Sequence, residues 1–118
     1  MLELAHIYYE RCTMEQFIIV VITVPNEELA KNISLQLIKQ KLCACVNIIP
    51  KCLSIYEWNG KIEETSEHIL IIKTSENKYI ALEKMIKNIH PYEIPEILKF
   101  LIDGGELNYL NWIKSCLK

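Results

Sequence analysis

Apolar positions fall into a few well-separated runs, and their order predicts the architecture. Phe17-Ile-Ile-Val-Val-Ile-Thr-Val24 is rich in β-branched residues and ends at Pro25, so it reads as a strand covered on both faces. Asn26 is a good N-cap, and Glu27 and Glu28 complement the dipole of the first turn. Leu29, Ala30, Ile33, Leu37 and Ile38 then form one apolar stripe, which predicts a helix to about Lys41. Residues 43–49 return as strand, Pro50 interrupts, and 52–58 continue; a proline inside a strand needs an edge or a bulge. Asn59-Gly60 is the strongest hairpin signal in the chain. Residues 61–67 lead into His68-Ile-Leu-Ile-Ile-Lys-Thr74, another strand. Ser75 can cap a second helix through Tyr79, Leu82, Met85, Ile86 and Ile89. Pro91 stops that helix, because the residue before a proline is pushed out of helical geometry. Residues 96–102 read as the last strand, Asp103-Gly-Gly105 as a turn, and 106–117 as a short amphipathic helix.

Two strand–helix–strand units with right-handed crossovers interleave most simply as an α+β, ferredoxin-like βαββαβ sandwich, here with an extended hairpin and a C-terminal helix. Both helices then cover one face of a four-stranded antiparallel sheet. Residues 17–22 and 69–72, in the two central strands, are apolar throughout instead of alternating, so the second face also needs a cover. The segment 43–58, fully extended, spans on the order of 50 Å. A compact domain of this length is only roughly 35 Å across, so the hairpin must bend at Pro50 or project. A projecting hairpin with unpaired edges calls for a partner that supplies strands. Both features predict an obligate oligomer. Patterning starts just after Met14, so residues 14–118 read as one domain and 1–13 as an extension.

Composition narrows the function. The chain has 118 residues, 51% of them hydrophobic, and a formal net charge of −2, with a mean hydropathy of +0.13. That excludes a disordered chain and gives no electrostatic footprint for nucleic acid or an anionic membrane. No apolar run reaches membrane-spanning length, and the N-terminus lacks a signal-peptide pattern. The five cysteines, Cys12, Cys43, Cys45, Cys52 and Cys116, are odd in number. Cys43 and Cys45 face the same way in a strand-like stretch, poorly placed to bridge each other. They read as reduced packing thiols, and the expected location is cytoplasmic. An enzyme is not expected. No glycine-rich phosphate loop, GxSxG or HExxH motif occurs, and the only arginine is Arg11.

The loop His90-Pro-Tyr-Glu-Ile-Pro-Glu96, with Lys41-Leu-Cys-Ala-Cys-Val-Asn-Ile-Ile-Pro50, Ser54-Ile-Tyr-Glu-Trp-Asn-Gly60 and Ile71-Ile-Lys-Thr74, closely resembles the CutA family of divalent-cation-tolerance proteins. The resemblance implies a ferredoxin-like protomer in a PII-like homotrimer with a cavity at each subunit interface. It also implies binding of a divalent metal, copper or alternatively zinc, in metal tolerance. His90 matches the family's loop histidine, and Glu67 a carboxylate near its cavity. Two positions that carry a cysteine and a second histidine in one bacterial form of the site are Ile22 and Ile89 here, which removes a soft ligand. Tyr92, Glu93, Lys73, Trp58 and Tyr56 are the expected inter-subunit pocket. Other readings stand beside these. His90 can hydrogen-bond its own backbone or a carboxylate, the aromatics can be interface anchors, and Lys73 can pair with Glu67 or Glu93. The whole can be a PII-like signalling or scaffolding module that binds a small ligand or partner protein in the clefts.

Overall fold

β1 (Phe17–Val24) forms the centre of a four-stranded antiparallel sheet ordered β2-β3-β1-β4. The structure is a computed structural model and describes residues 16–118; the expected extension and the Met14 boundary lie outside them. β2 (Cys45–Trp58) and β3 (Lys61–Ser75) make a long hairpin, and β4 (Ile97–Leu101) closes the other edge. Helix α1 (Glu27–Lys39) links β1 to β2, α2 (Tyr79–Ile89) links β3 to β4 after a 3₁₀ turn at Glu76–Lys78, and α3 (Leu107–Cys116) ends the chain. This is the βαββαβ order with a C-terminal helix that the apolar runs predict.

One face of the sheet holds the main core. Ile18, Val20, Ile22 and Val24 of β1 and Leu70 and Ile72 of β3 pack against Ala30, Ile33 and Leu37 of α1 and Leu82 and Ile86 of α2. Among the described residues the other face is covered only at one end, where Phe17 meets Ile113 of α3 and Leu117 just after it. Beyond α3 it stays apolar. Ile19, Val21, Ile69 and Ile71 are half-buried, and Ile49, Leu98 and Phe100 are 44%, 49% and 52% exposed. The continuous apolar runs are thus explained in part by α3 and in part by a face that the described residues of one chain leave open.

The hairpin projects. The longest extent of the molecule is 56 Å against 31 and 23 Å in the other directions. Asn59 (φ 52°) and Gly60 (φ 80°) form its tip, matching a type I′ turn, whose twist suits the two strands. Pro50 does not end the strand. Ile49 pairs with Ile69 and Cys52 with Glu67, so Pro50 and Lys51 together oppose His68 in a bulge, with Lys51 in the left-handed region at φ 60°. The bulge accommodates a proline that has no N–H for the ladder, and it changes the strand's phase.

Helix ends differ modestly from expectation. Asn26 Oδ1 accepts from Leu29 N–H at 2.8 Å, as its type predicts. Ser75 makes no such cap; its hydroxyl bonds Asn77 Oδ1 and a 3₁₀ turn precedes α2. α1 ends in a Schellman turn, with Leu42 N–H on Leu37 O (2.9 Å) and Lys41 N–H on Ile38 O (3.0 Å). Lys41 occupies the left-handed position at φ 57°, where a Cβ is crowded. Lys41→Gly is therefore expected to stabilise the chain by about 1 kcal/mol, read as a higher denaturant midpoint with an unchanged m-value.

Candidate functional site

The bulge at Pro50-Lys51 decides which side chains meet. Before it, the odd residues Asn47 and Ile49 share the open face with Ile71 and Ile69. After it, the even residues Cys52, Ser54, Tyr56 and Trp58 lie opposite Glu67, Thr65, Glu63 and Lys61. Strict alternation would put Tyr56 and Trp58 on the helix side of the sheet. The extra residue turns them to the side that carries Glu67.

The loop after α2 comes down on this surface. His90 takes an extended backbone (φ −66°, ψ 132°) as the C-cap of α2, as a residue before proline must. Its ring turns inward and is 8% exposed. Nε2 donates to the Thr23 carbonyl at 2.7 Å, and Nδ1 accepts from the Tyr92 backbone N–H at 3.2 Å. Those two bonds specify the neutral Nε2–H tautomer. The Tyr92 ring lies tilted against the imidazole, with centroids 4.7 Å apart, and its hydroxyl donates to Glu67 Oε2 at 3.0 Å. Burial first, and then the hydrogen bond to Glu67, push the Tyr92 phenol up to about 12, so it remains a donor at any ordinary pH. Tyr56 is fixed by a hydrogen bond of 2.7 Å shared with Thr65.

Between hairpin and loop lies a cavity of about 770 Å³, lined among others by Glu67, Tyr92, Glu93, Tyr56 and Trp58. Five of the expected site residues therefore meet. His90 stands behind the wall as the support of Tyr92, so of its two readings the structure has the backbone-bonded one. Lys73 does not join them. It sits six residues up β3, roughly 20 Å away at strand rise. There it donates to Asn47 Oδ1 at 2.7 Å and lies 5.8 Å from the centre of the Tyr109 ring. The expected pairing of Lys73 with Glu67 or Glu93 is replaced by these contacts. Thr23, Ser54, Thr65 and Glu96 also line the cavity and were missed; the bulge that turns Ser54 inward has only Pro50 as a sequence signal.

Whether these residues fit a metal can be judged from their donors. Both ring nitrogens of His90 are engaged within the chain, leaving no lone pair for an ion. Among the described residues no group of three or more His, Cys, Asp or Glu stands close enough to hold one. The pair His90 and Glu67 thus does not make a metal site inside one chain. The described cysteines, Cys43, Cys45, Cys52 and Cys116, are free thiols, and burial pushes Cys43 up to about 12, which suits packing and not ligation. His68 sits half-buried on the helix side of the sheet, with Nδ1 buried and unpartnered.

The fold and this cavity define an α+β sandwich protein whose site is built between a long hairpin and a helix-to-strand loop. Its family follows from comparison with known proteins. Residues 18–116 match the family model described as CutA1 divalent ion tolerance protein, and the chain belongs to that family. A CutA homolog of Xenopus laevis is 46% identical over 92 residues, 78% of this chain and 61% of the relative. The chain thus spans about three-fifths of that relative's length. The crystal structure of CutA1 from Oryza sativa superposes with a TM-score of 0.85 at 43% identity, covering 87% of this chain and 94% of the other. A CutA from Archaeoglobus fulgidus, described as a periplasmic divalent cation tolerance protein, has a TM-score of 0.83 at 36% identity, covering 89% and 100%. No described helix is long and apolar enough to cross a membrane.

Proposed function

We propose that this chain is a non-enzymatic, homotrimeric, PII-like binding protein that contributes to divalent cation tolerance through a ligand held in the Glu67–Tyr92 cavity. The carrying observation is Glu67: its carboxylate is in a residue 5% exposed and among the described residues is met by a neutral donor, the Tyr92 hydroxyl at 3.0 Å. A buried carboxylate without a cation is costly, so a cation arriving at this cavity is favoured. Family membership supports the link to cation tolerance. The open apolar sheet face and the projecting hairpin support the oligomer, and the similarity implies three copies. The free thiols support a reducing, cytoplasmic setting.

A second reading has its own support. Glu67, Glu93 and Glu96 all line the cavity, and such a donor set suits a hard divalent ion in preference to copper. In this reading a neighbouring copy completes the coordination, and Glu67 is the residue of this chain that holds the metal.

Calorimetric titration of the reduced protein with copper, zinc and manganese tests both. The expected outcome is no copper site that depends on His90. Saturable copper binding that disappears in His90→Ala without loss of folding would overturn the assignment. Saturable manganese binding lost in Glu67→Gln would establish the second reading.

A further inference from the structure

The cavity has the composition of a receptor for an organic cation. Three aromatic rings line it, Tyr56, Trp58 and Tyr92, and so do three carboxylates, Glu67, Glu93 and Glu96; among the described residues no lysine or arginine does. Two of the rings are held by neighbouring side chains, some of them part of the cavity wall. Tyr56 is tied to Thr65, and Tyr92 is wedged against the His90 ring and anchored on Glu67. Aromatic faces attract cations through their quadrupole, and weakly hydrated ammonium groups gain most. A metal ion needs several lone pairs converging within coordination distance, and the described residues assemble no such group. An alkylammonium head is satisfied by ring faces and one buried carboxylate. Building on the reading that the cavity is a ligand site, we propose that it binds a small organic cation, with the ammonium head against Glu67 and the rings of Tyr56, Trp58 and Tyr92.

The test uses choline, tetramethylammonium and 3,3-dimethylbutan-1-ol, the uncharged carbon isostere of choline, on the full chain carrying Trp112→Phe. Trp58 is then the one tryptophan left to report. Choline and tetramethylammonium are expected to change Trp58 fluorescence saturably, and the isostere is expected to bind at least tenfold more weakly. Glu67→Gln should weaken choline at least tenfold. Tyr92→Phe keeps the ring and should weaken it less, which covers the case that Glu67→Gln folds poorly. Equal binding of choline and its isostere would overturn the cation assignment while leaving the cavity as a ligand site. No response to any of the three, with Glu67→Gln instead releasing copies from the oligomer, would mean that a basic side chain of a neighbouring copy fills the cavity. That result overturns both this inference and the reading it rests on. Manganese binding with no response to ammonium ions overturns the inference in favour of metal.

Discussion

Replacing Leu98 and Phe100 together by glutamate is expected to break the proposed trimer, taking the mass in solution from about three times 13.8 kDa to a single 13.8 kDa chain. Both residues lie on β4 opposite Val21 and Ile19 of β1, on the sheet face that α1 and α2 do not cover. They are about half exposed in the single chain, so their replacement removes little from its core. In an assembly that closes over this face, the change removes two large apolar contacts of about 1.5–3 kcal/mol each. It also leaves two carboxylates to be desolvated or the seam to open. The sum exceeds roughly 4 kcal/mol per interface, a factor of about a thousand in dissociation constant. Light scattering reads the mass, and circular dichroism checks that the sheet survives. A double variant that keeps the parent mass would show that the open face lies outside the seam, and the oligomer would then have to be built by the hairpin alone.

The same face shows how far the sequence could be read. Runs such as Phe17–Val24 and His68–Thr74 give central strands because β-branched residues covered on both sides have little other use. Asn59-Gly60 gives the hairpin tip because few other pairs accept positive φ at both positions. The arithmetic of 43–58 anticipates a projecting arm. What the runs leave open is phase. Pro50 marks an irregularity, but whether it bends, ends or bulges the strand depends on the opposing His68, and that pairing is a tertiary fact. With the phase undetermined, the company kept by Tyr56 and Trp58 is undetermined too. Lys73 illustrates another limit. Alternation puts it on the same face as Glu67, yet distance along the strand separates them, and the partners it takes, Asn47 and Tyr109, come from β2 and α3. His90 is the third case. Its position before Pro91 is legible, whereas its bond to Thr23 joins residues 67 apart, which no local pattern encodes.

That bond makes His90→Ala the variant that separates a supporting histidine from a ligand. In the metal-free protein, removing the ring takes away the donor on the Thr23 carbonyl and the acceptor for the Tyr92 N–H, both beneath a residue only 8% exposed. Each buried group left without a partner costs about 1–3 kcal/mol, and the void left by the imidazole adds to that. The expected loss is therefore about 3 kcal/mol, measured by denaturant unfolding with chelator present. Tyr92 also loses the ring it leans on, so its hydroxyl should be freed from Glu67 and its phenol should fall from about 12 toward the ordinary tyrosine value. Ultraviolet titration follows that change in tyrosine ionisation. The direction of the stability change with pH follows from the same shift. A phenol whose pKa is raised by folding stabilises the fold fully below its unfolded value of about 10. That contribution disappears as pH rises through about 12, and in His90→Ala the part of it that depends on Glu67 should already be gone. A histidine whose purpose is to ligate metal gives the opposite pattern: little cost in chelator, an unmoved tyrosine titration, and a loss that appears only when the ion is added.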